Sequence, residues 1–107
     1  MKVLLDACTP RPLRDFLPDH SVQTAREMGW GQLKNGDLLR EAEKQFEALI
    51  STDQNLKYPQ KVVGRKLAIL VLPTNDWPTI RSRATEVAEK VATLKLGDFV
   101  ELSWANP

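Results

Sequence analysis

The chain has 107 residues, of which 42% are hydrophobic and 27% are charged, and its formal net charge is +1. These values are typical of one globular domain, and a charge so close to zero excludes a broad electrostatic attraction to nucleic acid or membranes. The single cysteine, Cys8, excludes an internal disulfide and a multi-cysteine zinc site. We expect a cytoplasmic protein, because a lone cysteine fits a reducing compartment and no apolar run approaches the ~18 residues of a membrane span.

The first predicted strand comprises residues 3–5, a short apolar run that is typical of a buried strand in a parallel sheet. It ends at Asp6, and open α/β sheets bind ligands outside the carboxyl ends of their strands. Asp6 is therefore interpreted either as the cap of the following turn or as the first ligand of a site. Thr9 as N-cap and Pro10 at the first helical position then predict a short helix over residues 10–17.

The middle of the chain alternates between strand and helix patterns. Residues 21–24 form a weak strand pattern, and the spacing of Thr24 and Glu27 is that of a capping box, which predicts a helical turn. A longer helix is predicted to begin at residues 35–37, with apolar residues every three to four positions up to Phe46. Its first turn contains an acid, which the helix dipole favours.

The second half of the chain continues this alternation. Strands are predicted at residues 48–51 and 67–72, separated by a polar loop over 54–66, and a final edge strand is predicted at 99–103. One long helix is predicted to begin after Asp76. The order of these elements predicts an α/β fold, with a mainly parallel sheet of four to five strands and helices on both faces.

Polar side chains follow three of the predicted strands: Asp6, Asp53 and Asn75. The carboxyl ends of parallel strands share one edge of a sheet, so these side chains can converge, and Asp37 at a helix N-terminus can approach them. Several carboxylates in one place require a cation, and oxygen ligands favour Mg²⁺ or Mn²⁺. Such an ion can activate water and hold a phosphodiester for in-line attack. The basic residues expected to hold phosphates of an RNA strand are Arg11, Arg14, Arg26, Lys34 and Arg40.

Each of these polar residues also has a purely structural interpretation. Asp6 and Asp53 can cap turns, Asp37 can be a favourable acid in a first helical turn, and Asn75 can be a loop amide. Glu27 can join the acidic group, but its capping-box role is the favoured interpretation.

Taken together, these motifs resemble the small PIN-like proteins that are grouped as a domain of unknown function and regarded as toxins of toxin–antitoxin pairs. The resemblance implies a three-layer α/β/α sandwich and a metal-dependent ribonuclease whose acidic cluster, Asp6, Asp37 and Asp53 by position, binds Mg²⁺ or Mn²⁺. It also implies an RNA substrate, a cognate antitoxin and a homodimer. Asn75, which comes from the strand-end pattern and not from the resemblance, is a candidate substitute ligand. The matching pieces span nearly all of residues 1–94: Leu4-Leu5-Asp6 with Pro10 and Leu13, residues 24–30, residues 36–39 with Ala42, residues 51–53, and the strand at 67–72.

Two alternatives stay open beside the nuclease. One is a phosphoacceptor receiver-like domain, because Asp53 after a third strand and Asp6 after the first have about the required spacing. Such domains normally carry a second acid beside the first and a lysine after the last strand, where this chain has Ala7 and Trp104. The other alternative is a PIN-like scaffold that has lost catalysis and only binds a partner.

Overall fold

The computed structural model describes residues 1–57 and 66–104. Within these residues the strands are β1 (Lys2–Leu5), β2 (Ser21–Thr24), β3 (Ala48–Ser51), β4 (Ala68–Val71) and β5 (Phe99–Glu101). They form one sheet in the order β2-β1-β3-β4-β5, and every neighbouring pair is parallel. The predicted α/β fold with a parallel sheet is therefore confirmed.

The helices of the described part connect these strands from above and below the sheet. They are a 3-10 helix at Arg11–Phe16, α1 (Asn35–Gln45), a second 3-10 helix at Gln54–Lys57, α2 (Trp77–Ser82) and α3 (Ala84–Thr93). The first of them was predicted as a short helix over residues 10–17, and it is a 3-10 helix with Pro10 as its N-cap and Pro12 in its first turn, where a missing backbone donor costs nothing. No helix of the described residues is both long and apolar enough to span a membrane.

The sheet buries an apolar cluster on each face, because successive strand residues point to opposite sides. Val3 and Leu5 belong to the cluster covered by the first 3-10 helix, α2 and α3, whereas Leu4 between them belongs to the cluster covered by α1. All three side chains are fully buried. Burial on both faces explains why the central strands appear in the sequence as continuous apolar runs rather than as alternating patterns.

The helical turn predicted from the capping box is present, but it does not extend into a helix. The Thr24 hydroxyl accepts the Glu27 amide at 3.0 Å, and Glu27 accepts the Thr24 amide at 2.9 Å. The turn then ends at once, because Gly29 adopts a φ of 78° and the Trp30 amide donates to the Ala25 carbonyl at 2.8 Å. The Gly29 conformation and the Trp30 hydrogen bond belong to a Schellman motif, which ends helices. The capping box begins a helix at Thr24 and the Schellman motif ends it at Gly29, so only one turn forms.

The single long helix predicted after Asp76 is wrong, since the structure has two helices that meet at Arg83. Asp76 does cap the first, accepting the Thr79 amide at 3.1 Å. The Ser82 hydroxyl then donates to the Thr79 carbonyl at 2.7 Å, and the Arg83 amide turns back to the Ile80 carbonyl at 2.9 Å. Side-chain bonding to a preceding carbonyl bends helices, and here it accompanies the break.

The remaining boundaries differ from prediction by one or two residues. Strand β4 is one residue shorter at each end than the predicted 67–72, and β5 ends two residues before the predicted 103. Strands β2 and β3 have the predicted bounds. Of the loop predicted over 54–66, residues 58–65 lie outside the described part of the chain.

Candidate functional site at the carboxyl edge of the sheet

The strand order places a topological switch point between the carboxyl ends of β1 and β3, and we call this position the crevice. From β1 the chain moves to β2 on one side, and it later crosses to β3 on the other side. At such a switch point the connecting loops leave in opposite directions, and α/β proteins commonly bind ligands there. Asp6 directly follows β1, and Ser51 is the last residue of β3.

Asp6 is a buried carboxylate held by three hydrogen bonds. It is 7% exposed, and its Oδ1 accepts the Thr9 hydroxyl at 2.6 Å and the Cys8 amide at 3.2 Å. Its Oδ2 accepts the Ser51 hydroxyl in a short hydrogen bond. The structural interpretation of Asp6 as a turn cap accounts for the contacts with Cys8 and Thr9, because Asp76 likewise accepts the hydroxyl of the threonine three residues later. It does not account for the Ser51 hydroxyl, which comes from another strand.

Burial raises the pKa of Asp6 above that of an ordinary aspartate, and the hydrogen bonds from Ser51, Thr9 and Cys8 oppose this rise. The pKa of the exposed Cys8 thiol is also raised, first by desolvation and then by the negative charges of Asp6 and Asp53. Both carboxylates therefore lie close enough to this one thiol to act on it electrostatically. A thiol with a raised pKa is a weak nucleophile at neutral pH.

The Ser51 hydroxyl connects Asp6 to Asp53. It donates to Asp6 and accepts the Asp53 amide at 3.0 Å. The adjacent Thr52 hydroxyl donates to the Cys8 carbonyl at 3.2 Å, which joins the loops after β1 and β3. Asp53 is half-buried, and its Oδ1 accepts the Asn55 amide at 2.9 Å, so it also has the turn-capping role that the sequence allowed.

The other two predicted metal ligands, Asp37 and Asn75, are exposed. The carboxylate of Asp37, in the first turn of α1, forms an exposed ion pair with Arg40 at 3.0 Å. Asn75 is exposed and follows β4, at the same edge of the sheet as Asp6. Among the described residues, no group of three or more His, Cys, Asp or Glu side chains is placed to hold a metal ion. The participation of Asp37 in a metal site stays a prediction.

The donor set at the crevice suits a hard cation held by two carboxylates. Oδ1 of Asp6 faces the Thr9 and Cys8 donors of its own turn, whereas Oδ2 accepts the Ser51 hydroxyl. Asp53 supplies a second carboxylate on the neighbouring strand end. Mg²⁺ is usually bound by one or two carboxylates, with waters and phosphate oxygens completing its shell, so this pair is sufficient in number and type.

A cavity of about 500 Å³ opens beside the crevice, on the β2 side. Its lining includes the arginines predicted to hold phosphate, Arg11 and Arg26, and the side chain of Thr9 that donates to Asp6. Glu27 also lines it, and its two oxygens are taken by the Thr24 amide and by Arg14 at 2.9 Å. The cavity thus has two cationic residues in its wall, together with the threonine that hydrogen-bonds the buried acid. Its full described lining is Ala7, Thr9, Arg11, Thr24, Arg26 and Glu27.

Two residues of this site had no functional role in the sequence interpretation. Thr9 was predicted as the N-cap of the first helix, but that position is occupied by Pro10 and the Thr9 hydroxyl instead bonds Asp6. Ser51 was seen only as part of a strand. The signal available in the sequence was the spacing: Thr9 lies three residues after Asp6, and Ser51 lies two residues before Asp53.

Comparison with family models, with curated proteins and with solved structures found no match for this chain. What can be said of its function therefore rests on the sequence motifs and on the geometry just described.

Proposed function

We propose that this protein is a metal-dependent RNA endonuclease of the PIN-like type, with Mg²⁺ or Mn²⁺ held by Asp6 and Asp53. The observation that carries the proposal is the Ser51 hydroxyl, which bonds the Asp6 carboxylate and the Asp53 amide at the switch point of the sheet. The sequence resemblance supports the same assignment and adds Asp37 as a third acid. A three-layer PIN-like sandwich agrees with the apolar clusters on both faces of the sheet.

The bound ion would supply an activated water and charge neutralisation at the phosphodiester. The protein's own part is to hold the carboxylates in place. Thr9 and Ser51 fix the two oxygens of Asp6, and the Asn55 amide fixes Oδ1 of Asp53. Because Asp6 is buried and its neighbours are already hydrogen-bonded, it cannot rotate away from the crevice without leaving polar groups unpaired.

The test is cleavage of a labelled single-stranded RNA with Mn²⁺ or Mg²⁺ and in EDTA. We expect Asp6→Asn and Asp53→Asn each to lower the metal-dependent rate by on the order of 100-fold or more, since the ion loses a charged ligand. Asp98→Asn is the matched control, because Asp98 also accepts a turn amide, from Lys95, but lies before β5 at the opposite edge. If Asp6→Asn and Asp53→Asn both still cleave the RNA at the rate of the control, the proposal is excluded.

Asp37→Asn, measured in the same assay, decides whether a third acid takes part. A loss comparable to that of Asp53→Asn would show that α1 supplies a ligand in the metal-bound state. A rate equal to that of the Asp98→Asn control would limit the site to two carboxylates.

The RNA substrate, the antitoxin partner and the homodimer belong to this proposal through the resemblance, and the cytoplasmic location belongs to it through the lone cysteine. A homodimer predicts a solution mass of twice that of the chain by light scattering. A monomer at all concentrations would remove that part of the proposal and leave the nuclease itself unaffected.

The strand order favours one second candidate, a phosphoacceptor domain. The order β2-β1-β3-β4-β5 is that of flavodoxin-like sheets, which include receiver domains, and Asp53 lies after β3. This candidate predicts that acetyl phosphate with Mg²⁺ adds one phosphoryl group to the wild type and none to Asp53→Asn. Absence of both labelling and cleavage would leave the partner-binding scaffold as the surviving interpretation.

A further inference from the structure

The cavity on the β2 side of Asp6 is large enough for a small ligand, and two of its lining residues are arginines without a carboxylate partner among the described residues. At about 500 Å³ it lies within the usual range for small-ligand pockets. It lies at the carboxyl ends of β1 and β2, because its wall includes Ala7 and Thr9 after the first strand and Thr24 at the end of the second. Arg11 and Arg26 contribute the cationic groups.

The arginines near this edge differ in whether their charge is already neutralised. Arg14 pairs with Glu27 at 2.9 Å, and Arg40 pairs with Asp37 at 3.0 Å. Arg11 and Arg26 form no ion pair with any residue in ranges 1–57 and 66–104. Among the arginines that the sequence predicted to hold phosphate, these two therefore remain able to neutralise an added anion.

The other groups of the cavity wall also suit an anion. The charge of Glu27 is met by Arg14, and hydrogen bonds from Thr24 and Arg14 lower the pKa of that carboxyl. The Thr24 hydroxyl accepts the Glu27 amide and its side chain also bonds the Glu27 carboxyl, so Thr24 holds Glu27 in the wall of the cavity. Two guanidinium groups in one cavity form a set that binds phosphate oxygens well.

The cavity is joined to the proposed catalytic edge by one side chain. Thr9 lines the cavity, and its hydroxyl donates to Asp6 at 2.6 Å. A phosphate bound at the arginines would therefore lie beside the carboxylate that holds the ion, on the β2 side of it.

We infer that Arg11 and Arg26 form a binding subsite for a backbone phosphate of single-stranded RNA, adjacent to the phosphate that is cleaved. This inference rests on the proposed nuclease function for the identity of the ligand. A single strand fits the geometry, because its backbone can bend to bring one phosphate into a concave site, whereas duplex phosphates lie on a stiff cylinder.

The test is fluorescence anisotropy of a labelled 12-nucleotide single-stranded RNA in EDTA, over a series of NaCl concentrations. We expect Arg11→Gln/Arg26→Gln to weaken binding at low salt by on the order of tenfold for each arginine. The slope of log K against log salt should fall by about 1.4, since each phosphate contact on a single strand contributes about 0.7.

The matched control is Lys66→Gln/Lys95→Gln, which removes the same charge at the opposite edge. Both lysines are exposed and precede strands β4 and β5. We expect this variant to bind with the wild-type slope. Equal losses in the two double variants, or no saturable binding by the wild type, would overturn the inference. So would equal affinity for a 12-base-pair RNA duplex.

Failure of the subsite and failure of the nuclease give different results. If the subsite is real and the nuclease is not, RNA binding in EDTA depends on Arg11 and Arg26 while no cleavage occurs with Mn²⁺. If the nuclease is real and the subsite is not, the arginine variant cleaves RNA with wild-type KM and kcat. If both hold, the arginine variant raises KM whereas Asp6→Asn lowers kcat.

Discussion

Replacing Asp6 gives the sharpest test of the site, because it separates the charge of the carboxylate from its hydrogen bonds. Asp6→Asn keeps an oxygen for the Cys8 amide and the Thr9 hydroxyl, and it places an NH₂ group next to Ser51. Asp6→Ala removes every acceptor. Thr9 retains a second acceptor in the Ile50 carbonyl at 3.2 Å, so one or two donors are orphaned. At about 1–3 kcal/mol for each, we expect Asp6→Ala to lose roughly 1–6 kcal/mol.

The free-energy cost of burying the charged Asp6 carboxylate makes the stability of the fold depend on pH. The folded protein holds the Asp6 proton more tightly than the unfolded chain does, because burial raises the folded pKa above the ordinary value of about 3.9. The stability of the wild type minus that of Asp6→Asn is therefore greatest below that ordinary value. It falls as the pH rises through the raised pKa, with a slope of at most about 1.4 kcal/mol per pH unit.

The assay is urea unfolding in EDTA at pH values from 4 to 8, followed by the fluorescence of the tryptophans. Taking the difference between wild type and Asp6→Asn cancels the titration of groups that the two proteins share. A difference that stays constant over this range would show that ionisation of Asp6 costs nothing in the fold. A difference that rises with pH would show that hydrogen bonding outweighs burial, and either result refutes the reasoning.

Three other outcomes follow from single contacts. Asp76→Ala should destabilise by about 1 kcal/mol in urea unfolding, because it removes the cap on Thr79, and Asp76→Asn should restore most of this. Leu70→Ala, at a fully buried position, should cost about 2–5 kcal/mol, and a loss below ~1 kcal/mol would contradict the described core. Cys8 should react with iodoacetamide at pH 8 more slowly than free cysteine, and faster once the neighbouring carboxylates are neutralised by mutation.

The sheet could be predicted from the sequence because its central strands are buried on both faces. Residues such as Leu49 and Ile69 are fully buried in the α1-side cluster while their neighbours face the other side, so the strands appear as unbroken apolar runs. The split at Arg83 could not be predicted, since no glycine or proline marks it. It accompanies hydrogen bonds between side chains and backbone that form within the folded helix.

The candidate site was predictable in its acids but not in its hydroxyl groups. Asp6 and Asp53 both follow strands, and parallel topology alone brings such residues to one edge. Neither the Ser51 link nor the contact of Thr9 with Asp6 follows from spacing, because each depends on which loop folds over which strand. The same holds for the arginines, since only the structure distinguishes those already paired with a carboxylate from those that are not.

The comparison of Asp6 with Asp98 shows why turn capping is an incomplete account of this edge. Both carboxylates accept a nearby backbone amide, from Cys8 and from Lys95, yet Asp98 does so while half-buried. Asp6 does the same at 7% exposure, with a raised pKa. Capping explains the Thr9 hydroxyl, since Asp76 has the same contact with Thr79, but it needs neither the burial nor the Ser51 hydroxyl, and a neutral asparagine would cap without the cost of desolvating a charge. The Ser51 hydrogen bond, which reaches Asp6 from the neighbouring strand, is therefore the contact on which the nuclease proposal depends, and Asp6→Asn is the variant that tests it.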